Sequence, residues 1–190
     1  MKSDSPADTQ KIEIMAILLI IIAVLLYGIS VLLLLRKEIL GPVAAFLAMG
    51  AVYLSGLLPM NMNMIITWLC LTLVVSGVTA MQPAALMSQQ RGMGYIMTGA
   101  AAGLAVGLMG YTFTESISAV YAIMVLAVVA GIFFGYMLFT RTPDGAQLRT
   151  SRNRFFSYLL AKGFPVAIAV SMLGVPLIIW LFQSLTAETL

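Results

Sequence analysis

The sequence contains no histidine, one cysteine and few charged residues. Without histidine, the chain lacks the commonest metal ligand and the commonest general base. The single cysteine, Cys70, excludes an intrachain disulfide, so cysteine usage does not indicate the redox compartment. The sequence also has no motif of a hydrolase, a kinase or a zinc site. We therefore predict that the chain is not an enzyme and that it uses no cofactor.

Charged residues are also scarce. Only 9% of the 190 residues are charged and 62% are hydrophobic, whereas a soluble domain has about 25% charged residues. Water could not solvate such a surface, but a lipid bilayer could. The net charge of +3 is too small to indicate nucleic-acid binding. The composition therefore predicts an all-α, polytopic integral membrane protein in contact with the lipid bilayer.

Six apolar runs come close to the roughly 20 residues that a helix needs to cross a bilayer. We predict a polar N-terminal lead at 1–11, a single membrane domain at 12–183 and a short polar tail at 184–190. The first apolar run is too long for the core of a signal peptide, so we expect it to be retained. The domain is predicted to be a bundle of six transmembrane helices at 12–35, 41–58, 62–80, 94–113, 116–140 and 164–183.

Small residues recur at every fourth position in the fourth and fifth predicted helices. Residues four apart share a helix face, so each helix offers a smooth strip that another backbone can approach closely. Because the two helices are consecutive, we predict that the strips pack against each other as a hairpin. A contact between copies in a homo-oligomer is the alternative. The first strip is Gly99, Gly103 and Gly107, and the second is Ala127, Gly131 and Gly135.

The register of this hairpin follows from where its turn lies. Arg91 and Arg141 bracket the hairpin on one predicted side of the membrane, and their midpoint puts the turn near Glu115. Equal numbers of residues from the turn then give equal depth along the two helices. We favour this register because it pairs small residues with small residues, namely Gly99 with Gly131 and Gly103 with Ala127.

Glu115 itself has two interpretations. A carboxylate within a membrane is a candidate ion or proton site. Alternatively, Thr112 and Glu115 have the spacing of a capping box, in which Thr112 caps the next helix and Glu115 bonds back to its backbone. The capping box would start that helix at Thr112 and would set Gly103 opposite Ala119 or Val120.

The third predicted helix is the most polar one. Thr72, Ser76 and Thr79 fall on one of its faces, at steps of four and three residues. We expect them to form hydrogen bonds between helices, which contribute only about 0.6 kcal/mol each. A face that lines a path for a solute is the alternative.

A cluster of methionines precedes the same helix. Thioether sulfurs are soft ligands that select Cu(I), so Met60, Met62 and Met64 are a candidate copper site. We favour the other interpretation, in which flexible methionines fill gaps in apolar packing. The chain has 14 methionines, so a local cluster of three needs no special explanation. We predict no metal.

Lys and Arg are unevenly distributed between the predicted loops. The loops after the first, third and fifth helices share one side, whereas the other side has only Lys2 and Lys11. Cytoplasmic loops are rich in Lys and Arg, so both termini are predicted to be non-cytoplasmic. The run from Arg149 to Arg154 can attract anionic lipid or a cytoplasmic partner, or can act as an ordinary anchor. The basic residues of the shared side are Arg36, Lys37, Arg91, Arg141, Arg149, Arg152 and Arg154, with Lys162 close by.

Two functions fit these patterns. The short loops and apolar helices favour a non-catalytic membrane subunit or accessory component of a larger, transport-related assembly, with protein partners or self-association in the membrane. The alternative is a small transporter or channel for a neutral solute, either as one chain or as a homo-oligomer. The solute would then pass along the polar face of the third helix. The sequence names neither partner nor solute.

The predicted orientation can be tested by thiol labelling. Single cysteines would be placed at positions 91 and 152 and near the N-terminus, in a Cys70→Ser background. An impermeant thiol reagent applied to intact cells should label the N-terminal position and leave positions 91 and 152 unlabelled. Strong labelling at position 152 would contradict the orientation.

Overall fold

The structure is a computed structural model that describes residues 6–36, 40–81, 92–114, 116–146 and 156–188. These residues contain no β-strand and form a bundle of six α-helices. Four helical spans are long and apolar enough to cross a membrane, whereas α2 and α4 have only 16 residues each. This confirms the predicted all-α membrane bundle. The helices are α1 (Pro6–Arg36), α2 (Leu40–Ser55), α3 (Met62–Ala80), α4 (Met93–Leu108), α5 (Ile117–Thr140) and α6 (Phe164–Glu188).

Both ends of the described chain are more helical than the sequence predicted. α1 begins at Pro6, so residues 6–11 belong to the helix instead of forming a polar lead; proline is well suited to a first helical position. α6 extends to Glu188, so most of the predicted tail at 184–190 is helical too. Both extensions continue an existing helix, and adding residues to a formed helix avoids the cost of nucleating a new one.

The internal boundaries differ at three places. α2 ends at Ser55 and not at 58, because Gly56 takes a positive φ of 68° and its N–H bonds back to the Tyr53 carbonyl. α4 ends at Leu108 and continues as a short 3₁₀ helix, Met109–Thr112. The last span starts earlier than the predicted 164, since Phe156–Ser184 is helical and includes a π-helical turn, Leu159–Gly163.

α6 is the central helix of the bundle. In the most apolar 18-residue stretch of this last span, 67% of the residues are buried. The corresponding share is 17–22% in the other three long spans. It packs against each of the five other α-helices. A helix that is apolar on all sides is the type that occupies the core of a bundle, so the C-terminal span positions the remaining helices.

Tyr27 on α1 donates a hydrogen bond to a backbone carbonyl of α6 that Pro176 leaves without its helical donor. The helix continues through Pro176, but proline has no N–H and leaves the carbonyl four residues earlier, at Met172, without its helical donor. The Tyr27 hydroxyl donates to this carbonyl at 3.1 Å. Ala23, one turn before Tyr27, is buried on the same face. α1 therefore packs on the core along this stripe, whereas Leu25 and much of the rest of the helix are exposed.

α1 and α2 form the first helical hairpin. The buried Ser30 hydroxyl donates to the carbonyl of Gly41 at 2.7 Å. A Cβ added to Gly41 would collide with the Leu34 side chain and lie 3.3 Å from its backbone nitrogen. The start of α2 therefore lies directly against the end of α1.

α4 and α5 form a second hairpin in which the two backbones touch. A Cβ added to Gly99 would lie 2.9 Å from the carbonyl carbon of Gly131, and one added to Gly103 would lie 2.8 Å from that of Ala127. Atoms this close leave no room for a side chain. The pairs in contact are those of the register centred on position 115, and Gly135 extends the series by its contact with Tyr95.

The turn of this hairpin excludes the alternative register. Thr112 still belongs to the 3₁₀ helix that ends the first arm, and its hydroxyl donates to the Met109 carbonyl at 2.7 Å. α5 begins only at Ile117, after Ser116. The prediction that Thr112 caps the following helix is therefore wrong, because its hydroxyl serves the preceding one. Glu115 lies outside the described residues.

Candidate functional site

Lys162 is the buried charged residue among those that the structure describes. Its side chain is 0% exposed. From the sequence, Lys162 was placed close to the basic residues of the loop before the last helix. The structure places Lys162 within the last span, in the π-helical turn Leu159–Gly163, where it is enclosed by protein.

The π-helical turn has a local cause in Pro165. The Phe164 N–H donates to the carbonyl of Leu159, five residues earlier, which is the hydrogen bond of a π-helix. Pro165 has no N–H, and its ring would crowd the Ala161 carbonyl in a regular α-helix. A wider turn before the proline relieves that crowding. Such π-turns inside α-helices are frequent at functional sites.

Gly163 sets the depth of the site. A Cβ added to it would lie 3.0 Å from Cγ2 of Ile132 on α5. Ile132 stands eight residues before the end of α5 at Thr140, which corresponds to about 12 Å. Half of the hydrocarbon core of a bilayer is about 15 Å thick. In a bilayer that α5 crosses, the backbone of Lys162 would therefore lie close to the midplane.

Aromatic rings cluster near the end of α5, and one of them, Tyr158, stands four residues before Lys162 on the last span. Tyr136 and Tyr158 are fully buried, and their ring centroids are 5.3 Å apart. Phe139 lies 6.2 Å from Tyr158 and 5.8 Å from Tyr95, so the rings form a continuous cluster. Because Cα–Cβ bonds tilt towards the N-terminus of a helix, the Lys162 side chain leaves its helix on the side of Tyr158.

This arrangement encloses an amine beside aromatic residues within the last span. Lysines inside membrane bundles pair with opposite charges or with carbonyl groups, and they mark solute paths or proton relays. Tyrosine hydroxyls nearby can donate or accept hydrogen bonds. Among the described residues, no group of three or more His, Cys, Asp or Glu could hold a metal ion. The chemistry of the site is therefore that of a buried amine and phenols.

The polar residues predicted on α3 are turned into the bundle. The hydroxyls of Thr72 and Thr79 are buried and donate to carbonyls of their own helix, those of Trp68 and Val75, at 2.8 and 2.7 Å. The Ser76 hydroxyl oxygen is also buried, and among the described residues it has no hydrogen-bond partner. The expected hydrogen bonds between helices are therefore wrong for Thr72 and Thr79, because both hydroxyls bond within α3. A solute-facing role of the three residues stays a prediction.

The three methionines do not share one environment. Met60 is buried in the core, and Met64 packs partly against the core. Met62, in contrast, is 54% exposed. Two of the three thioethers therefore take part in apolar packing, which is the interpretation that the sequence favoured. The basic run from Arg149 to Arg154 lies outside the described residues.

No protein-family model, curated protein or solved structure matches this chain.

Lys162 was not singled out by sequence reasoning, although a signal is present. The residue stands four positions after Tyr158 and three before Pro165, inside a run that is otherwise apolar. Positions four apart share a helix face, so Tyr158 and Lys162 were a candidate polar pair within a span. Because Lys162 follows several arginines, it was grouped with the basic residues of the loop instead.

The burial of Lys162 can be tested by amine labelling of the purified protein in mild detergent. Lys11 on α1 is exposed and serves as an internal control. An amine-reactive ester should modify Lys11 while leaving Lys162 unmodified, and both should react after denaturation. Peptide mass spectrometry gives the two extents. Equal rates in the folded protein would contradict the enclosed site.

Proposed function

We propose that the chain is a multi-pass membrane protein that acts as a non-catalytic subunit or accessory component and packs against helices of other chains. The observation that carries this proposal is the outer face of α4. This helix is lined with small residues on two opposite sides. One side is filled by α5, and the other is open.

The outer face is a regular strip of four small residues at steps of four, three and four. Each of the four is exposed, and a Cβ added to the first would meet no atom within 4 Å. The hydroxyl of Thr98 donates to the carbonyl of Gly94 at 2.9 Å, so it needs no hydrogen bond from a partner helix. At 100° per residue, the strip lies opposite the side that touches α5. The outer face is formed by Gly94, Thr98, Ala101 and Ala105.

Small residues favour contact with another helix over contact with lipid. Lipid chains are as apolar as leucine, so helices associate in membranes through close packing of their backbones. α4 already uses this mode of packing on its inner side, where Gly103 touches Ala127. A second smooth side gives the same helix a place for a second backbone.

Cross-linking in native membranes tests the outer face. A cysteine replaces Ala101 in a Cys70→Ser background, and a thiol-to-amine cross-linker is added. We expect a covalent adduct with a membrane chain, whose mass distinguishes a second copy from a different subunit. A cysteine at the exposed Val106, on another side of α4, is the matched control and should give little adduct.

Purification in mild detergent gives a second measurement of the same surface. A partner should accompany the wild-type protein in constant stoichiometry. Ala101→Leu should lose most of it while the subunit stays folded, because the larger side chain separates the two backbones. Val106→Leu should retain it. A partner that survives Ala101→Leu, together with no adduct at position 101, would contradict the proposal.

A small transporter or channel is the second candidate, and Lys162 is the observation that favours it. A lysine buried near the midplane is typical of solute paths, and exchanging its present partner for a solute would favour an anionic solute over the neutral one expected from α3. In that case, purified protein in liposomes would support anion flux without any partner. Lys162→Gln would reduce this flux, and Lys162→Arg would retain part of it.

A further inference from the structure

The last span contains one residue more than a continuous α-helix would need to connect its two ends. In the π-helical turn, the Phe164 N–H bonds to the carbonyl of Leu159, five residues earlier, where an α-helix would use the carbonyl four residues earlier. The chain is helical on both sides of the turn, at 156–158 and from Phe164 onwards. The π-helical turn is therefore equivalent to one residue inserted into an α-helix.

An inserted residue rotates the two parts of a helix against each other. Each residue of an α-helix turns the chain by about 100°, so the segment before the π-helical turn is rotated by about that angle relative to α6. In a regular helix of the same sequence, Leu159 would take the place that Tyr158 occupies, and Tyr158 would move to the place of Ser157. The turn thus determines which side chain of the first helical residues faces α5.

The burial pattern shows the result of this rotation. Tyr158 is fully buried, whereas its neighbours Ser157 and Leu159 are half-buried. The ring of Tyr158 lies 5.3 Å from that of Tyr136 and 6.2 Å from that of Phe139, both on α5. In the observed rotation, the last span therefore contributes a tyrosine to the aromatic cluster at the end of α5. A regular helix would offer a leucine at that place.

Pro165 is the residue that disfavours the regular helix at this point. Its ring would press on the Ala161 carbonyl, and its missing N–H would leave that carbonyl without a helical donor. Gly163 lets the turn lie directly against α5, because a Cβ on it would be 3.0 Å from Cγ2 of Ile132. The span has a second proline, Pro176, through which α6 continues as an α-helix.

We propose that Pro165 is the positioning residue of the candidate site. It holds the extra residue in the π-helical turn, and the resulting rotation brings Tyr158 against α5, on the face of the span that also carries Lys162. Without the proline, the site would lose the phenol that its own span supplies. This role concerns the geometry of the site and depends on neither of the two proposed functions.

Cysteine reactivity measures the rotation directly. Single cysteines are placed in turn at positions 157, 158 and 159 of the full chain, in a Cys70→Ser background. The purified proteins react with a small thiol reagent in mild detergent, and the slowest of the three positions is the one that faces the core. With the proline present, position 158 should react severalfold more slowly than positions 157 and 159.

Replacing the proline should move the protected position by one residue. In Pro165→Ala, the new N–H can donate to the Ala161 carbonyl, so a regular helix becomes possible and position 159 should become the slowest. Pro176→Ala removes the other proline of the same span and is the matched control, in which position 158 should stay the slowest. If position 158 also stays the slowest in Pro165→Ala, packing and not the proline sets the rotation, and the proposal is overturned.

Deleting one residue provides the second arm of the test. Leu160 lies in the π-helical turn and is 44% exposed. Its deletion together with Pro165→Ala removes the extra residue, so a regular helix restores the original rotation. This double variant should fold, and position 158 should again be the slowest, also where Pro165→Ala alone does not fold. A double variant that does not fold, or in which position 159 is the slowest, would overturn the proposal.

Discussion

The direct contact between the backbones of α4 and α5 is the constraint on which the bundle depends. A bilayer gives helices little hydrophobic reason to associate, because lipid chains are as apolar as the side chains they would replace. The hairpin therefore relies on close approach, and Gly99 and Gly103 allow it by having no side chain. α6 meets the pair through side chains instead, since a Cβ on Gly174 would lie 2.7 Å from Cδ1 of Leu104.

The central helix carries two prolines, and each creates a polar feature. At Pro176 the freed carbonyl of Met172 receives the Tyr27 hydroxyl, which fastens α1 to the core. Before Pro165 the helix widens into a π-turn, and this turn holds Lys162 inside the bundle. Breaks in a helix within a membrane must be compensated by neighbouring groups. Pro176 thus explains the hydrogen bond that links α1 to α6, and Pro165 explains the turn that holds the candidate site.

Sequence patterns predicted the features that depend on local periodicity. The spacing of small residues gave the pairs Gly99 with Gly131 and Gly103 with Ala127, because equal depth on two antiparallel helices follows from counting residues. The bounds of α3 were also predicted, since an asparagine cap and an apolar run define them locally. The burial of Lys162 and of Ala23 could not be predicted, because it depends on which helices become neighbours. The position of the turn at Thr112 could not be predicted either, because the threonine hydroxyl can cap the helix before it or the helix after it.

The backbone contact at Gly103 is tested most directly by side chains of increasing size at that position. Gly103→Ala and Gly103→Leu would be compared with Ala102→Leu, which adds the same bulk on an exposed side of α4. The fraction of monodisperse protein after detergent extraction, and its thermal midpoint, report folding. Ala102→Leu should resemble the wild type, Gly103→Ala should lower the midpoint, and Gly103→Leu should lose most of the folded protein. Equal folded fractions for Gly103→Leu and Ala102→Leu would contradict the account.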